Sequence, residues 1–193
     1  MDMGNINVYV ATEKDLRYLA DIEQSIIAAS KVKGTGIAVR DKAYLEKKIL
    51  EGKSVIAVHD DNRWAGFCYI ESWGHQKFVA NSGLVVNPDF RGMGLAIEIK
   101  RRALELSTRL FPKAKLFGLT TSLAVMKINN SLGYQPVTFS ELTDDDEFWK
   151  GCESCPYYDI LVRTRRAHCL CTGMLKPSAA SSESIKKDDK DAA

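Results

Sequence analysis

The chain has 193 residues, the length of one ordinary globular domain with a substantial core. Its 27 basic and 25 acidic residues nearly cancel, so net charge gives no argument for a nucleic-acid or membrane partner. No apolar run is long enough to span a bilayer, and the opening residues do not form a signal peptide. These features predict a cytoplasmic protein whose five cysteines are reduced.

The first half of the chain predicts strands interleaved with two helices. A strand over Ile6–Val10 leads to Thr12, a helix N-cap followed by Asp15. The next helix carries apolar residues at helical spacing, and a second runs from about Asp41 to Glu51. Alternating patterns and turn residues then predict strands over residues 55–59, 64–72 and 78–86.

The second half predicts one long helix and several closing elements. The long helix has an apolar face of Leu95, Ile99, Ala103, Leu106 and Leu110. Its basic run at 100–102 is predicted to be solvated, with contact to a bound phosphate group as the alternative. A strand over 116–120 and a helix beginning after Ser122 follow. Further strands are predicted over 137–139, 157–164 and 167–174, then a disordered tail over 177–193.

The central stretch is Gly83 to Ala96, where a buried strand meets a helix through a turn with two glycines. A strand, a glycine turn and a helix N-terminus form a typical phosphate-binding arrangement. A nucleoside-triphosphate loop would need Lys and Ser or Thr after Gly94, and a dinucleotide loop would need Gly or Ala at Ile97. Neither pattern fits, and a tight turn without a ligand stays the alternative.

The motif Arg91-x-x-Gly94-x-Ala96 after Val-Val-Asn-Pro resembles the coenzyme A pyrophosphate loop of GNAT acyl-CoA N-acyltransferases. The resemblance covers Ile6 to about Leu175 and implies one α/β (α+β) domain over 1–176. That domain would have a mixed central sheet flanked by helices, in the order β-α-α-β-β-β-α-β-α-β-β. It also implies an acetyl-CoA or other short acyl-CoA co-substrate, held by loop residues and strand amides. These are Leu84, Val85, Val86, Arg91, Gly92, Met93, Gly94, Leu95 and Ala96.

The stretch from Ser122 to Tyr134 resembles the second GNAT segment. Leu132-Gly133-Tyr134 fits the usual Gly-Phe ending, whereas Asn129 occupies the position of the usual tyrosine. That tyrosine commonly protonates the departing thiolate, and an asparagine amide cannot do so at neutral pH. Asn129 is therefore predicted to bind the cofactor by hydrogen bonding, with an exposed polar residue as the alternative.

A base must accept the proton that the acceptor amine loses. The glutamate that some GNAT enzymes place on the central strand corresponds here to about Ala80. Glu71 on the neighbouring strand is predicted as the catalytic substitute, ahead of His75 and Asn81. An edge-exposed carboxylate is the alternative interpretation of Glu71.

The loop between the first two helices commonly lines the acceptor pocket in GNAT enzymes. Here it carries Lys31, Lys33 and Arg40, which suit an acceptor with carboxylates, and a solvated loop without a ligand is the alternative. The resemblance of this loop, of residues 129–149 and of the Cys-rich end to a bacterial arginine-biosynthesis branch implies N-acylation of glutamate or a later pathway amine. The expected partner is thus a small-molecule amine, without nucleic acid or membrane. The oligomeric state is left open, with a homodimer as one option.

Two alternatives remain from other classes of protein. Cys152-x-x-Cys155 and Cys169-x-Cys171 allow a zinc site in a metal-stabilised interaction domain, whereas buried free cysteines are the simpler interpretation. A catalytically weak acyl-CoA sensor is the other alternative, because the usual tyrosine and glutamate are absent. The prediction adopted here is an enzyme without a metal.

Overall fold

The computed structural model describes residues 5–32, 34 and 36–180. Lys33 and residues 181–193 of the predicted tail lie outside them, whereas Ser178 is packed and only 5% exposed. The strands form one sheet in the order β1-β2-β3-β4-β5-β7-β6. They are β1 (Ile6–Val10), β2 (Ser54–His59), β3 (Trp64–Trp73), β4 (Phe78–Val86), β5 (Lys115–Thr120), β6 (Gln135–Val137) and β7 (Thr172–Lys176).

The helices pack on both faces of this sheet. They are α1 (Leu19–Ser30), α2 (Lys42–Leu50), α3 (Leu95–Leu110), α4 (Leu123–Ser131), α5 (Asp146–Lys150) and α6 (Tyr158–Arg163). One core cluster joins α1 and α2 to Phe67, Tyr69 and Val85. A second joins α3 to the opposite face, through residues such as Cys68 and Ile70. Because neighbouring strand residues point to opposite faces, β3 contributes to both clusters.

The connection from β4 through α3 to β5 is the parallel crossover of the sheet. All other paired strands are antiparallel. Among the described residues, no helix has the length and apolar character that a bilayer crossing would require. The mixed sheet flanked by helices confirms the predicted fold class.

Most predicted elements form where the sequence placed them, because local signals fix their ends. Thr12 and Asp15 form a capping box. Asp41 and Ser122 cap α2 and α4 by accepting main-chain hydrogen bonds. The predicted strand over 78–86 coincides with β4.

The closing elements differ from the prediction. The segment predicted as a strand over 157–164 contains α6, in which Arg163 pairs with Asp159 at helical spacing and Leu161 is buried. The predicted strand over 167–174 begins only at Thr172, and that over 137–139 ends at Val137. The element order therefore gains two short helices between β6 and β7, and each buries an apolar side chain, Trp149 in α5 and Leu161 in α6.

Candidate active site

Strands β4 and β5 diverge, and this divergence defines the candidate site. Their pairing covers only Phe78–Ala80 of β4 against Lys115–Phe117 of β5. Beyond these pairs, Asn81 and Gly118 are the first residues of the separating strands. The edge of β4 that faces β5 is thus available from Asn81 to Val86, and the two strands form a V-shaped cleft with its vertex at Asn81 and Gly118.

A β-bulge shapes β4 inside this cleft. Phe67 pairs with Val85 and Tyr69 with Ser82, so β4 has one more residue than β3 over this span. Gly83 lies in the bulge with φ 64°. A Cβ atom at Gly83 would lie 2.5 Å from Cε1 of Tyr69, so only glycine fits.

The predicted glycine turn lies at the open end of the cleft. Gly92 and Gly94 have φ 79° and 76°, and a Cβ atom on either would meet no atom within 4 Å. No side chain caps the N-terminus of α3, and Arg91 Nε donates to the Val86 carbonyl over 3.2 Å. The turn therefore offers main-chain N–H groups, a helix dipole and a guanidinium to an anion.

A cavity of ≈ 280 Å³ joins this turn to α4. Its lining includes Val86, Arg91, Gly94, Ala96 and Ile128. The exposed main-chain groups of the turn and an apolar wall are therefore adjacent, as a ligand with a diphosphate and an apolar arm would require.

Buried polar side chains gather at the vertex of the cleft. Tyr134 donates its hydroxyl to Asn81 Oδ1 over 2.7 Å, and Asn81 Nδ2 donates to Ser107 Oγ over 2.8 Å. Asn129 is 1% exposed, and its Oδ1 has no hydrogen-bond partner within the described chain. Asn129 is thus a buried amide, so the alternative of an exposed polar residue is wrong. The side chain of Asn81 donates to Ser107 and accepts from Tyr134, and an amide has no basic atom. Asn81 therefore offers no group that could accept the proton of the amine.

The opposite face of the sheet carries the Glu71 cluster, defined here as Arg40, Tyr44, Lys48, Tyr69 and Glu71. Tyr44 donates its hydroxyl to Glu71 Oε2 over 2.8 Å, and Lys48 forms an ion pair with the same oxygen. The Lys48 side chain is only 4% exposed. The Arg40 guanidinium lies 5.4 Å from the centre of the Tyr44 ring.

The electrostatics of the Glu71 cluster follow from burial and from these charges. Burial raises the pKa of Tyr44 far above its ordinary value, and neighbouring Tyr69 and Glu71 add to the effect. For Arg40, burial alone would lower the pKa, but Tyr69 and Tyr44 more than compensate, and its pKa is raised. Both tyrosines are therefore neutral, and Arg40 is a permanent cation.

By sequence, neither a protein-family model nor a curated protein matches the chain. Solved structures do match. N-acetylglutamate synthase from Neisseria gonorrhoeae, complexed with coenzyme A and N-acetyl-glutamate, superposes with a TM-score of 0.63 at 16% identity. The match covers 91% of this chain but 35% of the synthase, so the chain spans about a third of that protein.

Two further structures match over most of both chains. Rv2747 from Mycobacterium tuberculosis, in complex with CoA, gives a TM-score of 0.64 at 16% identity and covers 89% of this chain and 98% of its own. A GNAT superfamily phosphinothricin acetyltransferase from Sinorhizobium meliloti, in complex with AcCoA, gives 0.59 at 14% identity, with coverage of 90% and 88%. This chain has the GNAT fold.

The other predicted site residues occupy different surroundings in this GNAT fold. Lys31 is exposed at the end of α1, and His75 lies in a turn with φ 54°. Arg40 is half-buried, with Nη1 3.5 Å from the Gly151 carbonyl oxygen. The structure therefore brings Arg40 and Glu71 together through Tyr44, and Lys31 lies outside this group of contacts.

The four cysteines near the C-terminal end converge beneath the loop between α1 and α2. A Cβ atom on Gly36 would lie 3.2 Å from Cys171 Sγ and 3.8 Å from Cys155 Sγ. Burial and the neighbouring thiols raise the pKa of Cys152 to about 11 and that of Cys171 to about 12. In the part of the chain that the structure describes, no group of three or more His, Cys, Asp or Glu side chains is placed to hold a metal ion.

Sequence reasoning missed the partners of Glu71 and the burial of Lys100, which is 2% exposed. The basic run at 100–102 was predicted to be solvated, and for Lys100 that prediction is wrong. The helical spacing of these residues in the sequence could have indicated both features. Tyr44 and Lys48 are four residues apart on α2, and Lys100 lies four residues from Ala96 and three from Ala103, on the flank of the buried face.

Proposed function

We propose that the chain is an N-acyltransferase that moves a short acyl group from acyl-CoA to the amine of a small acidic amino acid such as glutamate. The observation that carries the proposal is the cleft between β4 and β5, with the bulge inside it and the glycine turn at its open end. The solved structures with CoA or AcCoA support it through their shared fold.

The donor side of the reaction needs mainly backbone. The glycine turn and Arg91 would bind the diphosphate, with Gly92, Met93, Gly94, Leu95 and Ala96 contributing main-chain atoms. The unpaired edge of β4 near Leu84, Val85 and Val86 would align the pantetheine arm and donate to the thioester oxygen as negative charge develops. The buried amide of Asn129 would hydrogen-bond the arm near the vertex.

The acceptor must react as a neutral amine, and its carboxylates must be bound by cationic side chains. Arg40 supplies a permanent cation with donors beyond those given to the Val39 and Gly151 carbonyls. Lys31 lies beside the same connecting loop and would add positive charge, and Lys33, two residues further along the sequence, is proposed to do the same. Glu71 is the candidate to take the amine proton through water, and its ion pair with Lys48 holds the carboxylate in place.

A screen of donors and acceptors tests this function. Thiol release from acetyl-CoA and succinyl-CoA would be measured with glutamate, aspartate, ornithine, polyamines and protein amines. We expect amine-dependent release that is fastest with an acidic amino acid. Tight acyl-CoA binding without release for any amine would contradict the enzyme and favour an acyl-CoA sensor.

A further inference from the structure

Lys100 is a buried lysine without a carboxylate partner among the described residues. Its Nζ donates to the main-chain carbonyl oxygen of Asn81 over 3.3 Å and lies 5.7 Å from the centre of the Tyr134 ring. Burial lowers the pKa of this ammonium, although nearby Cys68 acts in the opposite direction. Uncompensated burial of a charge is costly, so a lysine needs a reason at a position where an apolar side chain would pack.

The position of Lys100 beside the cleft between β4 and β5 suggests why a lysine is buried there. Asn81 is the first β4 residue beyond the last pair with β5, so Lys100 is bonded to the vertex of the cleft. A Cβ atom on Gly118, the corresponding β5 residue, would lie 3.9 Å from Asn81 O and 4.0 Å from Asn129 Nδ2. Lys100 and Asn129 therefore both lie close to the vertex.

The proposed acyl transfer, on which this inference rests, requires a proton at that point. Attack by the acceptor nitrogen forms the C–N bond, and breakage of the C–S bond leaves its electron pair on sulfur. Asn129 cannot release a proton to this thiolate. One Lys100 N–H is given to Asn81 O, and two others remain for a second partner.

We propose that Lys100 protonates the thiolate that leaves at the vertex of the cleft. Its ammonium gives a proton to sulfur and becomes a neutral amine, which water reprotonates before the next turnover. The proton that the acceptor nitrogen loses passes through water to Glu71, as in the proposed function. Because a thiol has a pKa near 8.5 and an ordinary lysine one near 10.4, a lowered lysine pKa makes this transfer more favourable.

Lys100→Met tests the proposal, because methionine keeps the volume and removes the proton. We expect kcat at neutral pH to fall about 100-fold, with the KM for acyl-CoA changed less than about threefold. The loss of activity that accompanies deprotonation of Lys100 in the wild type should also disappear. Ser107→Ala is the matched control, because it disturbs the same buried network and keeps the cation; its kcat should stay within about threefold of wild type.

Lys100→Arg separates proton donation from simple charge stabilisation. Arginine keeps the charge but does not release a proton in this pH range, so we expect its kcat to be as low as that of Lys100→Met. A near wild-type kcat in Lys100→Arg would overturn the donor role. An unchanged kcat in Lys100→Met would overturn it as well, and this measurement decides if the arginine variant does not fold.

Stability gives a readout that does not depend on activity. The lowered pKa in the folded state means that the unfolded chain binds more protons, up to about pH 10.4. The free energy of unfolding of wild type should therefore rise relative to Lys100→Met as pH increases through this window. If the difference in the free energy of unfolding between wild type and Lys100→Met did not change with pH, the lowered pKa of Lys100 would be contradicted. Failure of wild-type turnover with every amine would overturn the proposed function and the donor role with it, whereas normal turnover in Lys100→Met would overturn the donor role alone.

Discussion

The glycine turn and the Glu71 cluster are built in opposite ways. The turn consists of consecutive, exposed residues from Arg91 to Gly94, and it offers mainly main-chain groups. The Glu71 cluster collects half-buried and buried side chains from α2, from β3 and from the loop before α2. A backbone site can therefore be recognised from a local motif, whereas a side-chain site exists only after the elements pack together.

The largest expected effect is on coenzyme A binding, and it comes from a substitution in the glycine turn. Gly94→Glu places a carboxylate where the diphosphate is proposed to lie, and coenzyme A affinity should fall at least about 1,000-fold, or about 4 kcal/mol. Titration calorimetry would measure the affinity, and circular dichroism would establish that the variant is folded.

Gly52→Glu is the matched control for this change. Gly52 also has a positive φ, 64°, and a Cβ atom there would meet nothing within 4 Å, but it lies after α2. It carries the same strain and the same added charge, so its coenzyme A affinity should equal that of wild type. Unchanged affinity in Gly94→Glu itself would rule out the proposed diphosphate site.

The bulge between the two regions should be sensitive to a single methyl group. Gly83→Ala forces a residue with Cβ into φ 64° and against the Tyr69 ring, and we expect a loss of about 3 kcal/mol in the free energy of unfolding. Gly92→Ala carries the strain without the clash and should cost only about 1 kcal/mol. Urea unfolding would compare the two, and equal losses would show that Tyr69 does not require the glycine.

Removing the charge of Glu71 tests how the cluster is held together. Glu71→Gln leaves Lys48 buried beside a neutral amide, so we expect about 2 kcal/mol of destabilisation in urea unfolding, discounted for partial exposure. Lys48→Met with Glu71→Gln should recover most of it, because no unpaired charge remains buried. Additive losses in the double variant would contradict coupling between the two side chains.

The smallest expected effect separates the two substrates. Arg40→Gln should raise the KM for an acidic acceptor about tenfold, or about 1.4 kcal/mol, and leave that for acyl-CoA nearly unchanged. Lys47→Gln removes an exposed cation of α2 and should change neither constant. Equal increases of both constants in Arg40→Gln would argue against a role for Arg40 in acceptor binding.

The sequence by itself determined the elements whose signals are local. The capping residues Thr12, Asp41 and Ser122 fixed helix starts, and the two glycines with the preceding strand indicated the anion-binding turn. These features depend on neighbouring residues and on backbone geometry, which a linear pattern records.

Only the tertiary structure decided which side chains meet. Residues 157–164 contain a helix whose Leu161 packs in a buried cluster with Phe117 and Trp149, and Glu71 acquired Lys48 and Tyr44 through packing of α2 on β3. Lys100 became a buried group because the flank of α3 faces β4 at the vertex of the cleft. Burial and pairing depend on residues far apart in the chain, and they set the charge and proton affinity of each group.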